Sequence, residues 1–257
     1  MNVARYLQRI NYHGPTTPSP DTLRALQLAH LRAVPFENLS IHAGEPIVLN
    51  DVALFDKIVQ RRRGGFCYEC NGLFAALLRA LGFDVAMLSA EVANTQGGYT
   101  RPFDHMVLMV KETRRWLVDV GFGDSFLHPL LLDERGEQAE AARAYRIAEE
   151  GEYLVLRQGE LNDWQAQYRF TLQPYDYGGF AEMCRYHQTS PQSHFTQKRI
   201  CSLATETGRI TLSDMRLIEA SGSERHERVM TNQEEYDAAL LRHFGVVMTR
   251  SVFHEPD

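Results

Sequence analysis

Apolar positions along the chain change their period once. In the first third they recur every three or four residues. Val3, Tyr6, Leu7 and Ile10 form one such set over residues 2–10, broken by His13-Gly14-Pro15. Leu23, Leu26 and Leu31 form a second, between a Ser19 N-cap with Pro20 at the first helical position and the stop at Pro35. Val52, Leu54, Phe55, Ile58 and Val59 form a third behind Asn50, and Cys70, Leu73, Phe74, Leu77, Leu78 and Leu81 a fourth that ends at Gly82. This spacing, with caps and breakers at the right ends, predicts a helical N-terminal region.

Beyond Gly82 the apolar runs shorten and become rich in β-formers: Val85–Leu88, Met106–Val110, Trp116–Val120, then Tyr145–Ala148, Tyr153–Arg157 and Gln165–Leu172. They predict an antiparallel sheet or small barrel. Between them, residues 133–143 are polar and rich in Ala and Glu, which fits either a helix or an exposed loop. Tyr175–Phe180 and Thr189–Phe195 mix glycine, proline and aromatic residues and are expected to be ordered loops, with Tyr186 and His187 lining one. Short strands at 200–204, 209–213 and 216–220 follow. Thr231-Asn232-Gln233-Glu234 then opens a last helix carrying Tyr236, Leu240, Leu241 and Phe244. The class is α+β.

Composition acts by exclusion. The 257 residues are 44% hydrophobic and 23% charged, an ordinary globular balance, and the net charge of −6 argues against a nucleic-acid footprint. Arg61-Arg62-Arg63 is the one basic run, and it is short. Four cysteines (Cys67, Cys70, Cys184, Cys201) in a chain of this length are no disulfide framework and point to a reducing compartment. The N-terminus lacks a signal pattern and no apolar run has the length of a membrane span, so the expected location is cytoplasmic, with no membrane partner.

The candidate chemistry centres on Arg63-Gly64-Gly65-Phe66-Cys67. The glycine pair allows a sharp turn that delivers Cys67 onto the first turn of a helix, where free N–H groups and the helix dipole favour a thiolate. A cysteine nucleophile needs a base, and the base an orienting acceptor. His105 and Asp119 lie on successive strands joined by Lys111–Arg115, and any hairpin register that pairs odd with odd numbers places both on one face. Taken singly, each residue has an ordinary structural explanation: a buried small hydrophobe, a packed strand histidine, a turn cap. In the order helix-Cys, strand-His, strand-Asp they resemble a papain-like catalytic core. Cys67-Tyr68-Glu69-Cys70 lacks the preceding βαβ pattern of a redox motif, and Cys184 with His187 is a weak basis for zinc, so no metal is expected.

These residues, with Asp104-His105 and Val118-Asp119-Val120-Gly121-Phe122-Gly123, resemble the arylamine N-acetyltransferase family. Val34–Leu39 and Thr189–Phe195 extend the resemblance, which runs from about Tyr6 to Phe244. It implies a helical bundle over 1–82, a β-barrel over 83–185 and an α/β lid over 186–257. It also implies a Cys67–His105–Asp119 triad that moves an acetyl group by ping-pong from acetyl-CoA, as co-substrate, to an arylamine, arylhydrazine or N-hydroxyarylamine. By similarity Gly121, Tyr186, Ser193 and Phe195 lie near CoA, while Phe36, Phe66 and Phe122 wall an aromatic acceptor pocket. A homodimer is compatible with the resemblance. Open alternatives are another acyl-CoA donor, amide formation in a biosynthetic pathway, a papain-like peptidase, and a non-catalytic CoA- or aromatic-binding module. Arg63 and Glu37 are expected to form a buried structural pair.

Two departures from the family pattern stand out. Cys70 puts a second thiol one turn from Cys67; inert burial is the expected reading, and an inactivating Cys67–Cys70 disulfide the sharper one. The sequence stops at Asp257, which predicts a lid with less material to close over CoA.

Overall fold

The computed structural model describes residues 1–140, 143–160 and 163–253. Helices α1 (Val3–Arg9) and α2 (Pro20–Ala33) form where the apolar period predicts them, and Ser19 Oγ caps α2 by accepting the Thr22 N–H at 3.1 Å. After strand β1 (Phe36–Glu37) and the single turn α3 (Leu39–His42), helix α4 (Asp51–Phe55) starts behind the Asn50 cap. It runs on as a π-helical turn, Asp56–Gln60, so the expected third helix exists as two differently wound pieces. Helix α5 (Cys67–Ala80) is buried from Cys67 to Leu78 on every face and is the central element of the molecule.

Strands β2 (Asp84–Val92), β3 (His105–Lys111), β4 (Arg115–Val118), β5 (Leu130–Leu131), β6 (Gln138–Glu140), β7 (Arg143–Glu150), β8 (Tyr153–Glu160) and β9 (Asp163–Tyr175) form an antiparallel sheet in the order β5-β4-β3-β2-β9-β8-β7-β6. Side chains bridge its two edges. Gln138 bonds both the N–H and the C=O of Leu131, at 2.7 and 3.0 Å, and the Glu140 carboxylate accepts the N–H groups of Leu127 and His128. The edges thereby meet without a backbone ladder, and the sheet curls into a nearly closed barrel. In the 133–143 segment the described part is strand β6 with its flanking loop; residues 141 and 142 lie outside the described residues.

Alternation along β3 divides the core. Met106, Leu108 and Val110 pack with α5, whereas Val107 joins Leu117, Tyr145, Leu156, Tyr168 and Phe170 inside the barrel. A single shift of register would exchange the two faces.

Helix α6 (Tyr177–Thr189) is a correction to the sequence reading, which expected loops at Tyr175–Phe180 and around Tyr186 and His187. Asp176 Oδ1 caps it at the Gly179 N–H, and Phe180, Cys184 and His187 bury one face at helical spacing. Gly178-Gly179 mimics a loop signal, yet the cap and the buried face outweigh the intrinsic cost of glycine at a helix start. After α7 (His194–Gln197), strands β10 (Ile200–Ala204), β11 (Gly208–Ser213), β12 (Arg216–Ser221) and β13 (Glu224–Val229) form a second antiparallel sheet, and β1 pairs with β10 at its edge. The N-terminal region therefore supplies one strand to the C-terminal sheet. Asn38 secures that join, donating to Phe195 O (2.9 Å) and Lys198 O (2.7 Å) and accepting from Ile200 N. Strand β13 is exposed throughout, an edge protected by its charged side chains. Helix α8 (Gln233–Ala239), capped by Asn232, and a π-helical turn (Leu240–Phe244) cover the sheet. Residues 254–257, and with them the chain end at Asp257, lie outside the described residues.

His30 predicts how the bundle responds to acid. Its Nδ1 meets Tyr6 Oη at 2.9 Å, Phe74 packs on its ring, and burial followed by the Arg9 charge pushes its pKa from 6.5 down to about 3. Below pH 6.5 the unfolded chain binds a proton that the native state does not, so stability is lost as pH falls. The limiting slope is about 1.4 kcal/mol per pH unit until the native histidine itself titrates. Urea unfolding between pH 7 and 5 should show this loss, and His30→Gln should flatten it.

Candidate active site

Cys67 occupies the first turn of α5. Glu69 closes that turn, its Oε2 accepting the Phe66 N–H at 3.2 Å, and Lys57 Nζ holds Glu69 Oε1 at 2.7 Å. Lys57 and Arg63 also reach Glu37, at 3.9 and 2.8 Å, so the nucleophile loop sits on a buried network of two cations and two carboxylates. Burial alone would raise the Glu37 carboxyl, but Arg63, Lys57 and the Leu39 N–H together hold it below its usual range. The Arg63–Glu37 pair is thus formed as expected. The glycines serve a different purpose from a sharp turn: neither has a left-handed φ, and a Cβ on Gly64 would stand 1.9 Å from the Pro35 carbonyl oxygen. They permit close packing.

The β3–β4 hairpin pairs Met109 with Leu117 and Lys111 with Arg115, an odd-with-odd register. His105 Nε2 lies 2.8 Å from Asp119 Oδ2, both groups being buried. Asp119 stands one residue past the end of β4 rather than within a strand. Its Oδ1 accepts from Asn71 Nδ2 and from the Gly121 N–H, each at 2.9 Å. Asn71 also donates to Met106 O at 2.6 Å and accepts the Val120 N–H at 2.8 Å, clamping both strands to α5. Sequence reasoning passed over Asn71. Its signal was available: a polar residue one turn after Cys67 on a helix otherwise apolar at that level.

Gly121 lets this loop reach α5. A Cβ there would lie 2.7 Å from Cys67 Cα and 2.8 Å from Asn71 Nδ2, with backbone on one side. Gly121→Ala is expected to push the Asp119 loop off α5, lowering both stability, by about 2 kcal/mol or more, and activity. Thermal melts and initial rates on the same preparation would check this.

On the other side of Cys67, Phe103 adopts φ 65°, a left-handed conformation uncommon for a bulky residue. Its N–H is held by Ser89 Oγ at 2.8 Å and its carbonyl by Tyr68 Oη at 2.6 Å, which fixes the approach to Asp104 and His105. The Cys67 thiol donates to the Asp104 carbonyl over a long 4.0 Å. Burial, and then the Asp104 and Asp119 carboxylates, drive the Cys67 pKa upward, with a partly opposing contribution from the Met106 N–H. Burial therefore opposes ionisation of this thiol even at a helix start.

A cavity of about 660 Å³ opens on Cys67 and His105. Gly121, Tyr186, Ser193 and Phe195 line it, as do Phe36 and Phe122. Phe122 packs edge-on against the His105 ring at 5.1 Å. Phe66, expected in this wall, is fully buried behind it against Phe195, Tyr68 and His187. As the N-cap of α5 it points away from the open face. Arg101, Asp104, His187 and His194 also line it, none of which the sequence reading assigned to the site. Cys70 is inaccessible, its Sγ donating back to Gly65 O at 3.1 Å, and all four cysteines are free.

The sequence profile of the N-acetyltransferase family matches residues 20–253. The chain belongs to the arylamine N-acetyltransferase family. The arylamine N-acetyltransferase of Mycolicibacterium smegmatis is 35% identical over 96% of this chain and 92% of its own. A pineal gland arylamine N-acetyltransferase of Gallus gallus is 32% identical over 98% and 96%. The solved structure of Mycobacterium marinum arylamine N-acetyltransferase in complex with CoA superposes with a TM-score of 0.88 at 33% identity, covering 95% of this chain and 93% of that one. Like those family members, this one is a mixed helix-and-sheet enzyme fold. Among its described residues no helix is long and apolar enough to cross a membrane.

Proposed function

We propose that this family member transfers an acetyl group from acetyl-CoA to an arylamine, arylhydrazine or N-hydroxyarylamine through a thioester on Cys67. The observation that carries the reading is the buried His105–Asp119 pair beside a thiol at the floor of an aromatic-walled cavity. With Asp119 accepting from Nε2–H, the lone pair of His105 rests on Nδ1, the nitrogen left to serve Cys67.

His105 takes the Cys67 proton, and the thiolate attacks the acetyl carbonyl. The N–H groups of Cys67 and Tyr68, in the first turn of α5 and without intrahelical partners, are donors for the oxyanion. Collapse breaks the bond to CoA, whose sulfur recovers the proton from His105. In the second half the acceptor nitrogen attacks the Cys67 thioester, His105 removes its proton, and Cys67 leaves as the thiolate. Because burial raises the thiol's own pKa, the thiolate forms only as the partner of the His105 imidazolium.

Phe36 and Phe122 flank the thiol and suit a flat aryl acceptor, while Gly121, Tyr186, Ser193 and Phe195 border the approach assigned to CoA. The proposed setting is the cytoplasm, where four free thiols persist, and nothing in the charge balance calls for nucleic acid. Initial rates at several acetyl-CoA and arylamine concentrations should give parallel double-reciprocal lines. Intersecting lines would mean direct transfer without the Cys67 thioester. Propionyl- and malonyl-CoA in the same assay would define the donor.

A further inference from the structure

The thiol of Cys67 is flanked by two carboxylate–imidazole pairs, of which the mechanism uses one. The second joins Asp104 Oδ1 to His187 Nε2 at 3.3 Å, an ion-pair contact rather than an aligned hydrogen bond. His187 is 5% exposed, and Asp104 faces the same cavity as Cys67 and His105. The two come from separate walls: Asp104 precedes His105 at the start of β3, and His187 sits in the last turn of α6. The His187 ring is fixed by Phe66 and Phe195 edge-on and by Tyr68 and Tyr186. Its Nδ1 meets Ser193 Oγ at 3.0 Å.

Asp104, His187 and Ser193 have the outline of a hydrolytic triad, but Ser193 is a poor nucleophile. Its hydroxyl oxygen already accepts the Phe195 N–H at 3.2 Å as the cap of α7, and the residue is 2% exposed. The role of the pair lies instead in its charge. A carboxylate beside a thiol that must ionise opposes the ionisation, and a cation bound to that carboxylate cancels the opposition.

We propose that His187 is a positioning residue that, as the cation paired with Asp104, holds and neutralises that carboxylate, so that the Cys67 thiolate forms beside the His105–Asp119 pair without opposition from Asp104. The proposal rests on Cys67 being the nucleophile. Other groups near the thiol or Asp104 are Tyr68 and Cys184, both with pKa values raised chiefly by burial, and Thr100, with Arg101 and His194 also lining the cavity. The Asp104 carboxyl is itself held below its usual range: burial would raise it, but the neighbouring His187, with Thr100 and His105, prevails.

The test is the pH profile of Cys67 alkylation by iodoacetamide, assigned by peptide mass spectrometry, in wild type, Asp104→Asn, His187→Gln and the double variant. Removing the Asp104 charge should move the midpoint down by about one pH unit, and removing His187 should move it up by a similar amount. The double variant should return towards wild type. A structural role alone would disturb both single variants in the same direction, and that result, or no shift in either, would overturn the proposal. Thermal melts of each variant separate a charge effect from unfolding, and the isosteric Asp104→Asn change keeps the test valid if His187→Gln folds poorly. The outcome is distinguishable from failure of the underlying reading, in which wild-type protein mixed with acetyl-CoA would carry no acetyl group on Cys67.

Discussion

Cys67→Ser is expected to lower acetyl transfer by about four orders of magnitude or more while leaving the fold within about 1 kcal/mol of wild type. The thiol makes little bonding that a hydroxyl would lose, since its contact with the Asp104 carbonyl is a weak one at 4.0 Å. Chemistry is another matter. Burial already opposes ionisation of the thiol, and it would oppose the far weaker acid of a serine more strongly. An oxygen ester, moreover, is a less activated acyl carrier than a thioester. Initial rates with a saturating arylamine, set beside a urea melt of the same variant, separate the two effects.

Arg63→Met should be the most damaging single change to stability, at about 3–5 kcal/mol. Arg63 is 2% exposed and donates to Glu37 through Nε at 3.0 Å and to Ser40 Oγ at 3.2 Å. Methionine fills similar volume but leaves Glu37, itself fully buried, with only Lys57 at 3.9 Å and the Leu39 N–H. An uncompensated buried carboxylate must then protonate or the segment must open. Glu37 belongs to β1, so the damage spreads to the join between the helical region and the C-terminal sheet. Arg63→Met/Glu37→Gln should recover part of the loss in urea unfolding, because the second change removes the charge that the first one strands.

Much of the site was legible because its logic is local. The odd-numbered spacing of His105 and Asp119 sufficed to put them on one face once a hairpin was granted, and the observed register grants it. Ser19 and Asn50 announced their helices through caps that form as expected. What escaped the sequence depended on long-range packing. Helix α6 was hidden by Gly178-Gly179, and only its burial against Phe103 and Tyr68 makes Phe180 and His187 visible as one face. Strand β13 has no apolar period at all; it exists because β12 offers it a ladder. Phe66 looked like a pocket wall because it adjoins Cys67, but consecutive residues at a helix start point in different directions, and it turns inward. Asn71 required knowing that two strand ends converge on α5 before its amide had anything to clamp.

A helix start favours a thiolate and burial opposes it at Cys67, so in the proposed mechanism the ionised form depends on His105. Reactivity is thus a property of the pair, and of whatever charges stand beside it.

Everything above turns on Cys67 carrying the acetyl group between donor and acceptor. Intact-protein mass spectrometry of the wild-type chain mixed with acetyl-CoA, without acceptor, tests it most directly. One acetyl adduct should form, map to Cys67 and disappear when an arylamine is added. A chain that stays unmodified, or an adduct that persists in Cys67→Ser, would contradict it.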